Sequence, residues 1–105
     1  MASLIVSYYW SVGDPNYDKN SEKKIGHRDN TLTEGLSCAL NKKAKNLLRI
    51  NDKKARKLLV TYYDGTSEIR TYDDSTGFNE EPRIDLFEKA CNEKFNMTTA
   101  KVEIV

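Results

Sequence analysis

Lys57-Leu58-Leu59-Val60-Thr61-Tyr62-Tyr63-Asp64-Gly65-Thr66-Ser67-Glu68-Ile69-Arg70-Thr71-Tyr72 is the stretch of this 105-residue chain with the strongest local signal. Two runs rich in β-branched and aromatic residues flank Asp64-Gly65, a pair suited to a two-residue type I′ hairpin turn, in which both central residues take positive φ. Such a turn fixes the register. Tyr63 then faces Thr66, Thr61 faces Glu68, Val60 faces Ile69 and Leu59 faces Arg70. One face of the hairpin carries Leu58, Val60, Tyr62 and Ile69 and reads as the core face. The other carries Leu59, Thr61, Tyr63, Glu68, Arg70 and Tyr72.

Working outward, residues 3–11 read as a strand, with Leu4, Val6, Tyr8 and Trp10 alternating against Ile5, Ser7 and Tyr9, stopped by Gly13-Asp14-Pro15-Asn16. A polar stretch over 12–30 is long for a connection within a compact domain. Thr31-Leu32-Thr33-Glu34 has the form of a capping box, and Leu32, Leu36, Leu40 or Ala39, Ala44 and Leu47 or Leu48 stand at helical spacing, which predicts a first helix over about 32–48. A competing reading ends that helix near Asn41 and makes 46–50 an extra strand. After an acidic loop at 73–81, Pro82 suits a first helical turn. Ile84, Phe87, Ala90 or Cys91, and Phe95 then form a stripe that predicts a second helix over 82–95. Ala100-Lys101-Val102-Glu103-Ile104-Val105 alternates as a last strand. The order β-α-β-β-α-β, with right-handed crossovers, implies a ferredoxin-like α+β sandwich. Its four-stranded antiparallel sheet has strand order 4-1-3-2 and both helices on one face.

The length fits a single domain over 1–105 with one modest core. No apolar run approaches the roughly 20 residues of a membrane span, and no basic leader precedes a long apolar stretch, so the expectation is a cytoplasmic protein without a membrane partner. Cys38 and Cys91 lack the CxxC spacing of a zinc site, and His27 is the single histidine, which argues against a metal and for two reduced core thiols. Asn96-Met97-Thr98 matches a glycosylation acceptor but lacks the secretory context that would give it meaning. Asp73-Asp74-Ser75-Thr76-Gly77 lacks the distal bidentate glutamate of a calcium loop. No cofactor is implied.

Charge is unevenly laid out. Lys42, Lys43, Lys45, Arg49, Lys53, Lys54, Arg56 and Lys57 stand against the single anion Asp52, although the whole chain has a formal net charge of +1. Clustered cations of this kind suit salt-dependent, sequence-tolerant contact with nucleic-acid phosphates. The competing account pairs them with Asp73, Asp74, Glu80 and Glu81, which the topology places at the same end of the sheet. The uncovered sheet face would carry Tyr9, Leu59, Tyr63, Arg70 and Tyr72 amid mixed charges, a composition that suits a protein interface or a homodimer. His27 and Arg28, with Asp29, Asp14 and Asp18 nearby, form the one place where an acid–base group meets a cation. A small enzyme centred there is the third reading, though no oriented nucleophile accompanies it.

The leading expectation is a small non-enzymatic protein that docks on a protein or nucleoprotein partner through the sheet face. Its Lys- and Asn-rich, proline-poor composition is common in AT-rich genomes, phages and other mobile elements among them. An inhibitor or regulator of a host complex is therefore the role suggested by size and composition alone. The alternative is a nucleic-acid-binding module using 42–57.

Overall fold

The computed structural model describes residues 1–9, 30–77, 80–88 and 94–105. Among these residues the fold is a closed six-stranded β-barrel with one short helix. The strands are β1 (Ala2–Tyr9), β2 (Ser37–Leu40), β3 (Arg56–Thr61), β4 (Ser67–Ser75), β5 (Arg83–Phe87) and β6 (Thr99–Ile104), and α1 spans Lys42–Leu48. Around the barrel the order is β1-β5-β2-β4-β3-β6. β1/β5 and β2/β4 are parallel pairs; the other pairs are antiparallel.

This corrects the expected ferredoxin-like sandwich, and the reason lies in two misread strands. Residues 37–40 are all buried, and so are 84–87 of β5. Cys38, Leu40, Ile84 and Leu86 point into the barrel, while Ala39 and Phe87 join Tyr9 and Leu32 in a second apolar cluster outside it. A strand buried on both sides reads as a continuous apolar run, which periodicity alone does not separate from helix. The expected helix over 32–48 is therefore a turn at 34–36, a strand and then α1. Gly35 takes φ 76° in that turn, and Leu36 is exposed. Where the second helix was expected to begin, β5 stands instead; 89–93 of that expected helix lie outside the described residues. The β6–β1 and β3–β4 pairings of the expected sheet are present, but β1 does not pair with β4; β5 and β2 lie between them and close the barrel. A closed barrel has no free strand edges.

The hairpin register also differs by one residue. Tyr62 N–H donates to Thr66 O (2.8 Å) and Gly65 N–H to Tyr62 O (3.0 Å), so the loop has three residues, Tyr63-Asp64-Gly65, with Gly65 at φ 88°. Asp64 has no positive φ; its carboxylate accepts from the Thr66 N–H (3.0 Å) and hydroxyl (2.6 Å). Asp-Gly serves this three-residue turn as readily as type I′, because only Gly needs the left-handed region here. Leu58 consequently faces Arg70, Leu59 faces Ile69 and Val60 faces Glu68. A one-residue slip sends every β4 side chain to the opposite face. Tyr72 and Arg70 go in, and Ile69 comes out, 40% exposed.

The interior holds Leu4, Val6, Leu58, Val60, Tyr72, Ala100 and Val102 with the inward residues of β2 and β5. At one end α1 closes the barrel with Ala44 and Leu48. Asn41, fully buried, fastens this cap: its Oδ1 accepts from Ala44 N–H (2.9 Å) and Arg83 N–H (3.0 Å), and its amide donates to Glu81 O. At the other end Arg70 bridges Glu68 and Glu88, Tyr62 Oη donates to Glu68 (2.6 Å), and Phe95 stacks on Tyr62 at 3.9 Å. Among the described residues no helix is long and apolar enough to cross a membrane.

Asn41→Ala removes the helix N-cap and takes a partner from the Arg83 N–H and the Glu81 carbonyl. It should cost about 3 kcal/mol of folding free energy, read as a lowered midpoint in chemical denaturation.

Candidate functional site

The barrel disperses the residues expected to share one sheet face. Tyr72 and Arg70 are inside it. Tyr9 is on the outer surface yet buried beside Phe87 (ring centroids 5.2 Å apart), and its hydroxyl donates to Asp74 (3.2 Å). Leu59 is half-buried on the outer wall opposite Ile69. Tyr63 stands out at the hairpin tip, 65% exposed, with its ring edge-on to Phe95. No common surface joins the five. His27 and Arg28, like Cys91, lie outside the described residues.

The basic segment keeps its integrity. It forms α1, the turn over 49–55 and the start of β3, all at the end of the barrel that α1 closes. Lys42, Lys43, Arg49, Lys53, Lys54 and Lys57 are exposed; Lys45 and Arg56 are half-buried. Among the described residues its one ion pair is internal, Arg56 to Asp52 at 2.9 Å. The Lys54 N–H and then the Arg56 guanidinium hold the Asp52 carboxyl below its ordinary range.

Of the acids that could have neutralised this segment, the two aspartates are engaged elsewhere. Asp73 accepts from the Ser37 hydroxyl (2.8 Å), and Asp74 accepts from Tyr9. Glu80 and Glu81 meet the segment through backbone carbonyls, taken by Lys43 Nζ (2.7 Å) and the Asn41 amide, and not through ion pairs. Lys42, Lys45, Arg49, Lys53, Lys54 and Lys57 thus make no ion pair among the described residues. Between α1 and the following turn runs an open groove of about 340 Å³, lined by Lys42, Lys45, Asn46, Asn51 and Lys53 together with Ile50 and Asp52, whose carboxylate is paired with Arg56. Ammonium groups there supply point charges, and the two amides supply further donors, the mixture that contacts phosphate and sugar oxygens. Asn46 and Asn51 were missed in the sequence; amides interleaved among the cations are the signal that could have found them.

Two features of this segment work against folding. α1 has no acid in its first turn and begins with Lys42 and Lys43, placing cations at the positive end of the helix dipole. Arg49 ends it at φ 60°, a left-handed position where glycine is the usual occupant. Departures from local preference of this kind concentrate at functional positions.

Elsewhere, the polar groups on the outer wall are occupied in bracing the sheet. The Ser7 hydroxyl donates to Asp85 and accepts from Arg83 (3.2 Å) across the parallel β1/β5 pair. Cys38 is fully buried, and burial pushes its thiol far above the ordinary range, away from the reactive thiolate. Among the described residues no group of three or more His, Cys, Asp or Glu is placed to hold a metal ion. Comparison with known proteins finds no family, no curated protein and no solved structure that matches this chain.

Asp73 carries a desolvation cost: burial raises its carboxyl above the ordinary range, only partly countered by the Ser37 hydroxyl. A carboxyl with a raised folded-state value loses stability as pH rises through that value. Asp73→Asn keeps an acceptor for Ser37 and removes the buried charge. It should therefore raise the melting temperature by a few degrees at neutral pH, with the difference shrinking as pH falls below the carboxylate range.

Proposed function

We propose that the protein is a non-enzymatic binding module that docks on nucleic acid through α1 and the turn that follows it. The observation that carries this reading is the set of cations over 42–57, which form no ion pair with the acidic 73–81 stretch among the described residues, with Lys42, Lys43 and Arg49 in positions that cost the fold stability. Contact of this type is made to phosphates, so it reads shape and charge and not base sequence. The rest of the surface agrees with a local footprint: the chain is near neutral overall, so attraction is confined to one end of the barrel. A docked protein surface rich in carboxylates is the second reading, favoured by Leu47, which stands 55% exposed among the cations. A role as a regulator or inhibitor of a nucleoprotein complex is compatible with either.

Fluorescence anisotropy with a labelled duplex and a labelled single strand tests the proposal. With about four phosphates neutralised, affinity should fall roughly 100-fold between about 50 and about 200 mM salt. Lys53→Glu combined with Lys54→Glu should weaken binding at least about 100-fold without unfolding the barrel. A flat salt titration, or no binding at low salt, would remove nucleic acid from the account.

Stability and binding should also move in opposite directions at two positions. Lys42→Glu should raise stability by about 0.5 kcal/mol and Arg49→Gly by about 1 kcal/mol, through the helix dipole and the left-handed backbone respectively. Both should weaken nucleic-acid binding several-fold. Thermal melts and anisotropy on the same preparations give the two readouts.

A further inference from the structure

The apolar interior reaches the surface at the rim of β6, on the far side of α1 from the lysine-lined groove. β6 turns Ala100 and Val102 inward, and Ile104, the next residue of that alternation, emerges at the rim 41% exposed. Leu47 and Met1, 55% and 81% exposed, border it. Together with Leu48, Arg49 and Glu103 these residues line an open groove of about 440 Å³. Arg49 and Glu103 carry opposite charges on the same groove, yet among the described residues neither forms an ion pair.

From this the geometry points to a second copy of the chain as the occupant, docked groove to groove about a two-fold axis. A two-fold interface sets one surface patch against itself, so that a residue i of one copy meets j of the other and j meets i. An apolar strip with one unpaired cation and one unpaired anion meets that requirement. Leu47 and Ile104 of one copy cover those of the other, and Arg49 of each reaches Glu103 of its mate. Barrel closure leaves no strand edge for pairing, so side chains alone make the contact. The strip is small, and the association is correspondingly weak. The arrangement brings two α1 segments together and so extends the cationic surface, but it does not rest on the nucleic-acid reading.

Sedimentation velocity without nucleic acid tests it, from about 10 µM to about 1 mM protein. Reversible monomer–dimer exchange is expected in that range. Leu47→Glu should weaken it at least about 10-fold while leaving the circular dichroism spectrum unchanged. Arg49→Glu and Glu103→Arg should each weaken it roughly 10-fold, and the double variant R49E/E103R, which restores the exchanged pair, should recover to within about threefold of the parent. Lys53→Glu with Lys54→Glu should leave association unchanged, which separates this contact from nucleic-acid binding. A single monomeric species up to about 1 mM, association indifferent to Leu47→Glu, failure of the double variant to recover, growth beyond dimers, or loss of association in the Lys53/Lys54 variant would each overturn the assignment.

Discussion

The three-residue β3–β4 loop, closed with Gly65 in the left-handed region at φ 88°, fixes which side of β4 faces inward. Tyr72 fills the interior and Ile69 leaves it, an exchange that buries a large ring at the expense of a smaller aliphatic group. The same choice carries Arg70 into the barrel, 2% exposed. A lone guanidinium would be strongly destabilising there, and Glu68 and Glu88 offset that cost by direct ion pairs. Burial alone would lower the Arg70 pKa; the two carboxylates outweigh it and leave the net shift upward. Tyr62 and Phe95 then seal this end over the ionic group. The turn, the register and the polar plug form one arrangement.

Strands whose sequence alternates were legible, even where both sides are buried, as over Val6 to Tyr9 of β1. β1, β3, β4 and β6 fall close to their expected positions because alternation marks them. The turn entering β3 shares one end of the barrel with the acidic stretch, as expected. Residues 37–40 and 84–87 were not legible as strands, since Cys38, Ala39, Leu86 and Phe87 have apolar neighbours on both sides of the wall. Their pairings, parallel β1/β5 and β2/β4, join residues far apart in sequence and leave no local trace. Once those two strands are placed, the uncovered sheet face that suggested a docking surface ceases to exist.

The basic segment was readable for a different reason. Exposed lysines need no register to be exposed, so an error in strand pairing does not displace them. What the sequence left open was whether the acids of 73–81 neutralise them. Ser37 and Tyr9 occupy Asp73 and Asp74, and the glutamates offer backbone carbonyls instead. Asn41 links both facts: it caps α1 and pins the 81–83 backbone, presenting the cations while fixing the acidic strand beside them.

The register of the β3–β4 hairpin is the claim on which barrel closure, the Arg70 plug and the dispersal of the sheet face all depend. Cross-strand nuclear Overhauser contacts in isotope-labelled protein measure it directly. The account predicts that backbone protons of Leu59 lie opposite those of Ile69, and those of Leu58 opposite Arg70. Contacts placing Val60 opposite Ile69 would contradict it, returning Ile69 to the interior and Arg70 to solvent.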